Sequence, residues 1–160
     1  MALNAKKVFQ DLEEQKVHKA ETIEVTIGDL QYDVKFFSDL DPDDMVLKKN
    51  LYLYVGEFLE DMITTELLSV FLELDPEDIA ATLSLYVLTR AYTDIDFSET
   101  HGTDLLNFLA ILAQSDLLSI VGKGLGKDKI ERFYVVAMDT AAEMLNTMGD
   151  RLLSEAEEAK

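Results

Sequence analysis

The chain has no cysteine, which excludes disulfides, zinc–thiolate sites, iron–sulfur clusters and thiol catalysis. Histidine is nearly as scarce: His18 and His101 are the two present. Neither belongs to a His-x-x-x-His or Glu-x-x-His spacing, so a helical transition-metal site has no pair of ligands to start from. Basic residues are few, 14 against 32 acidic ones, giving a net charge of -18. That balance excludes ordinary nucleic-acid binding, in which Lys and Arg neutralise phosphates, and it repels an anionic membrane surface. Long apolar runs are missing as well. The most apolar stretch, Leu105 to Val121, is interrupted by Asn107, Gln114, Asp116 and Ser119, and Asp116 alone would cost about 2.5–3.5 kcal/mol near a bilayer centre. Met1 to Val8 lacks the apolar core of a signal peptide. A cytoplasmic protein with no membrane span is expected.

What remains is enough for a folded domain. At 160 residues and 48% hydrophobic content the chain can bury one core, which separates it from a disordered acidic tail. Ala5 to His18 can form a short amphipathic helix carrying Val8, Phe9, Leu12 and Val17. Glu21 to Phe37 alternates apolar and polar residues in two runs, Ile23-Val25-Ile27 and Leu30-Tyr32-Val34-Phe36, around Gly28-Asp29. Alternation marks strands, and Gly at the first central position suits a two-residue type II′ hairpin turn. The register predicted pairs Ile27 with Leu30, Val25 with Tyr32, and Ile23 with Val34, all on one face. The opposite face sets Glu24 against Asp33.

After the hairpin the pattern turns helical. Asp41-Pro42-Asp43-Asp44 reads as a helix start with Asp41 at the N-cap and Pro42 at N1. Leu47, Leu51, Tyr54, Val55 and Phe58 follow at helical spacing. The phase slips near Asp61, so a break is expected between Glu60 and Thr65, followed by a second stripe of Ile63, Leu67, Val70, Phe71 and Leu74. Asp75-Pro76-Glu77-Asp78 starts the next helix, which should reach about Tyr92. Thr93 to Thr103 reads as a loop and Asp104 to Val121 as one helix. Gly122-Lys123-Gly124-Leu125-Gly126 reads as a flexible turn, and the last helix runs from an Asp128 N-cap to about Met148. The fold class expected is mainly α (α+β), a single domain over 1–160. It comprises a short helix within 1–20, a two-stranded hairpin over 21–37, a bundle of four to five helices over 41–150 and a polar tail over 151–160. The two Asp-Pro starts lie a tetratricopeptide length apart, but that repeat's other positions are absent.

Motifs that could carry chemistry fail on inspection. Asp39, Asp41 and Asp43 imitate an EF-hand loop, yet Asp44 stands where Gly is needed and Asn50 where the bidentate Glu belongs. Asp94, Asp96, Ser98 and Glu99 lack the same partners. His101 beside Asp96 and Ser98 has no Gly-x-Ser-x-Gly elbow. The run Gly122 to Lys127 lacks the Ser or Thr of a phosphate loop, and a helix rather than a strand precedes it. No catalytic activity, cofactor or metal is expected. The charge pattern says more. From Asn50 to Gly122 there are thirteen acids and one base, Arg90, whereas Lys123, Lys127, Lys129 and Arg132 cluster just beyond. An acidic body with basic margins suits protein contact through complementary patches, and it also solubilises an apolar helical body.

Small size, acidity and the order of parts resemble the tail assembly chaperones of long-tailed bacteriophages. The residues that carry the likeness are the hairpin Glu21 to Phe37, with Gly28 before Tyr32, and the helices from Asp41 onward. The resemblance implies a chaperone in the bacterial host cytoplasm that binds the tape-measure protein, contacts the tail-tube protein and is absent from the mature virion. An acidic secretion-type chaperone for an exported client and an acidic DNA-mimic inhibitor are the alternatives. A lone hairpin is marginally stable and has two unpaired edges. Its apolar face, Ile23, Val25, Ile27, Leu30, Tyr32 and Val34, is therefore the expected partner-binding surface, for a client or for a second copy in a homo-oligomer. The competing expectation is that the helices cover this face and leave a monomer.

Overall fold

The computed structural model describes residues 4–8, 20–64, 67, 73 and 75–158. Residues 5–8 are helical; the rest of the helix expected over Ala5 to His18 lies outside the described residues. The hairpin forms as predicted. Strands β1 (Glu21–Ile27) and β2 (Leu30–Phe36) pair antiparallel, with Ile27 opposite Leu30, Val25 opposite Tyr32 and Ile23 opposite Val34. Gly28 takes the left-handed conformation that the tight turn requires, at φ 64°. Five helices follow among the described residues: α1 (Met45–Thr64), α2 (Pro76–Tyr92), α3 (Gly102–Gln114), α4 (Leu117–Leu125) and α5 (Lys127–Glu158). The chain is mainly α with a small β-hairpin.

The start of α1 differs from the sequence expectation. Asp44, not Asp41, is the cap: its Oδ1 accepts the N–H groups of Val46 (2.8 Å) and Leu47 (3.3 Å). Asp41 instead closes the preceding turn, accepting the Asp43 N–H at 2.9 Å. It is held there by Arg132 of α5, 3.0 Å away. Once begun, α1 buries Leu47, Leu51, Val55, Phe58, Leu59 and Met62. It continues past Asp61, with Met62 on the same inward stripe, and ends at Thr64, within the Glu60 to Thr65 window expected for the break. Of the second stripe, Leu67 packs against the core and its N–H reaches the Met62 carbonyl at 3.0 Å; Val70, Phe71 and Leu74 lie outside the described residues. The α2 start follows the sequence, with Asp75 at the N-cap and Pro76 in the first turn.

The helix expected over Asp104 to Val121 is two helices, α3 and α4, bent by 66°. The bend sits at Ser115-Asp116. Ser115 Oγ bonds the Leu112 carbonyl (2.6 Å) and accepts the Leu117 N–H (3.2 Å), ending one helix and starting the next. No single helix among the described residues is long and apolar enough to cross a membrane. The apolar character of the α3–α4 pair goes into the core through Leu105, Leu109, Leu112, Leu117, Val121 and Leu125.

The glycine run that reads as a flexible turn is mostly helix. Gly122 and Gly124 lie within α4, and only Gly126, at φ 85°, leaves it. Gly124 allows close approach: a Cβ there would lie 2.9 Å from Phe36 Cζ and nearer still to Cε1. Asp128 is not an N-cap but lies in the first turn of α5. That helix reaches Glu158 rather than about Met148, into the segment expected to be a polar tail. Phe133, Ala137 and Ala141 are its inward residues. Among the side chains described after Met144, none is buried.

Tertiary ties then fix the hairpin to the helices. Phe36 bridges Thr93, and the Phe37 N–H donates to the Tyr92 carbonyl at 2.8 Å. An aromatic chain, Phe58–Tyr86–Phe97–Phe108 with centroid spacings of 5.0, 5.2 and 5.5 Å, links α1, α2, the 93–101 loop and α3. Tilted and edge-on contacts at these distances suit the ring quadrupoles.

Candidate partner-binding surface

A two-residue turn makes Ile27 and Leu30 a hydrogen-bonded pair, and such pairs then alternate along the ladder. Thr22, Glu24 and Thr26 of β1, and Gln31, Asp33 and Lys35 of β2, therefore direct their backbone groups to the two edges. Each edge is closed at one point by an aspartate. Asp116 Oδ1 accepts the Thr26 N–H at 2.8 Å. Asp94 Oδ1 accepts the Lys35 N–H at 2.9 Å, and its own N–H returns to the Lys35 carbonyl at 3.2 Å. A charge bonded to an edge amide blocks strand addition at that residue. The two edges expected from the sequence to be open are thus each closed at one place, Thr26 on β1 and the Lys35 end of β2.

The six predicted face residues divide. Val25 is 0% exposed and Val34 is buried, and Ile23 and Ile27 are half-buried against the core. Leu30 and Tyr32 remain 61% and 47% exposed. The division follows from which strand lies over the helices: β1 packs on α3 and α4, while the part of β2 nearest the turn overhangs them. Ile111 of α3, half exposed, reaches the turn, where it shares a shallow pocket with Thr26 and Gly28. The anchored half is core, and the uncovered half is a small apolar platform on an acidic body.

A second feature was not legible as a unit in the sequence. A cleft of about 700 Å³ is lined by Glu57, Glu60, Asp61, Tyr86, Arg90 and His101, among others. Its polar groups engage one another. Arg90 donates to Glu57 and, at 2.8 Å, to the Tyr86 hydroxyl, and it lies 4.2 Å over the Tyr54 ring. Burial opposes its charge, but Glu57 and Tyr86 together raise its pKa further. Burial likewise pushes the Tyr86 hydroxyl up. Asp61 holds the start of α3, accepting the Gly102 N–H at 2.8 Å, while His101 Nδ1 lies 3.0 Å from its other oxygen. The lone base of the central acidic region is therefore a tie between α1 and α2.

The basic cluster is also partly spent inside the molecule. Lys129 Nζ donates to the Ser38 carbonyl at 2.8 Å, and Arg132 binds Asp41, Asp43 and Asp128. Lys123 and Lys127 stay exposed. Compared with protein-family models, curated proteins and solved structures, the chain matches none.

Proposed function

We propose that this chain is a non-enzymatic assembly chaperone that keeps a long helical client soluble, the client being a phage tape-measure protein and the tail-tube protein a second contact. It would act in the bacterial host cytoplasm and leave before the virion is complete. The observation that carries this reading is the divided hairpin face. Leu30 and Tyr32 are exposed on a strand whose neighbours Val34 and Phe36 are locked in the core, so the apolar platform is presented without being free to collapse. A holding protein needs apolar contact that does not lead to self-aggregation. Here the net charge of -18 and the guarded edges oppose association of like copies. The mutual engagement of Arg90, Glu57, Asp61 and His101 supports a tethering role for the cleft rather than turnover.

The test is co-production with the tape-measure protein encoded in the same genome. With the wild-type chain the client should stay in the soluble fraction and co-purify with it. The Leu30→Asp/Tyr32→Asp variant should remain folded and lose the client. Equal client solubility with and without the chain would defeat the reading.

A further inference from the structure

Helix α5 carries three adjacent rows of side chains. Phe133, Ala137, Ala141 and Met144 face the body: the first three are buried, and Met144 packs on the core beside Gly56. One residue further on, about 100° round the helix, come Tyr134, Met138, Ala142 and Leu145. Tyr134 and Leu145 are 44% and 45% exposed, Ala142 is exposed and Met138 half-buried. Another step round begins with Val135, 58% exposed, and continues with Asp139, Glu143 and Asp150. These three carboxylates are exposed and have no ion-pair partner among the described residues. A partly exposed apolar row, in which Met138 also packs on the core, thus runs beside a row of acids that have no ion-pair partner among the described residues.

We infer that this face of α5 is a docking track for an amphipathic helix whose apolar stripe is flanked by a row of Lys or Arg. The apolar row supplies the buried contact, and the acidic row sets register and selects the sign of the partner's charge. From Tyr134 to Asp150 the track is about 24 Å long at 1.5 Å per residue. A second copy of this chain does not fit as well, because it would bring its own net charge of -18 to an already acidic row. The inference uses a different element from the hairpin platform and stands independently of the client proposed above.

The experiment uses the full chain and three labelled synthetic peptides of one length. The first has a leucine stripe flanked by a lysine row. The second is a scramble of the same composition, and the third replaces each lysine with glutamate. In anisotropy titrations the first should bind at least about tenfold more tightly than the scramble and gain helical circular dichroism. Met138→Asp/Leu145→Asp should abolish that preference. Asp139→Lys/Glu143→Lys, which alters exposed positions alone, should turn the preference toward the glutamate peptide. Leu30→Asp/Tyr32→Asp should leave the affinity unchanged. The inference is overturned if the scramble binds equally well, or if the charge-reversed chain still prefers lysine. It is also overturned if the wild type sediments as a dimer that Met138→Asp/Leu145→Asp dissociates, which would assign the face to a second copy.

Discussion

Replacing each of the two glycines inside α4 with alanine should move stability in opposite directions. In a helix interior alanine is favoured over glycine by about 0.8–1.0 kcal/mol, because glycine loses more backbone freedom on folding. At Gly122 the new methyl would meet Ile130 Cδ1 at 3.5 Å, an ordinary contact, so Gly122→Ala should stabilise by roughly that amount. At Gly124 the methyl would press into the Phe36 ring, 2.9 Å from Cζ and closer to Cε1. The ring is 2% exposed, and its backbone is bridged to Thr93, so it has little room to retreat. Overpacking of this kind costs about 1–3 kcal/mol, which outweighs the propensity gain over most of that range. The two variants should differ by about 1–3 kcal/mol in urea unfolding followed by circular dichroism. In a domain of this size that is roughly 2–4 °C of melting temperature per kcal/mol. The mechanism has its own control. In a Phe36→Leu background the ring is gone, and Gly124→Ala should become neutral or stabilising, a coupling of about 1–3 kcal/mol. If Gly124→Ala matches Gly122→Ala, or costs the same with and without the ring, the close approach does not explain the glycine.

Three further outcomes are expected. Val25→Asp places a carboxylate with no partner at a position that is 0% exposed, and should cost more than about 4 kcal/mol, whereas Leu30→Asp should stay within about 0.5 kcal/mol; similar melting temperatures for the two would contradict the division of the hairpin face. Asp116→Ala removes the acceptor of the Thr26 N–H and should cost about 1–2 kcal/mol with faster hydrogen exchange at Thr26, so unaltered protection there would show that the edge is guarded by something else. The Asp43 N–H first, and then the Arg132 guanidinium, hold the Asp41 carboxyl below its usual range; a depressed carboxyl stabilises above its unfolded pKa, about 3.9, and loses that contribution as pH falls through the folded value. Arg132→Met should therefore be less stable than wild type at neutral pH, by a margin that shrinks with added salt and vanishes in acid. A margin independent of pH would point to lost packing instead.

The sequence by itself determined the elements whose causes are local. Alternation over Glu21 to Phe37 and the Gly28-Asp29 pair specified the hairpin register, because a one-residue slip would turn every apolar side chain to the other face. Asp75-Pro76 set the start of α2, since a cap and a proline act within one turn. The inward stripe of α1 was legible for the same reason. Tertiary structure decided the rest. Ser115-Asp116 breaks a continuous helical pattern, and Asp116 there accepts an N–H from 90 positions earlier in the chain. Gly122 and Gly124 read as a turn until Phe36 fills the space beside α4. Asp41-Pro42 carries the same local cap signal as Asp75-Pro76, yet Asp44 is the cap, and Arg132, on a helix that begins more than 80 positions later, engages Asp41 instead. The candidate surface belongs to this second class. Six apolar residues on one hairpin face carry the same local signal, and the position of α3 and α4 beneath β1 separates Ile23, Val25 and Ile27, which the core covers wholly or in part, from Leu30 and Tyr32, because burial is a property of what lies on the other side of the contact.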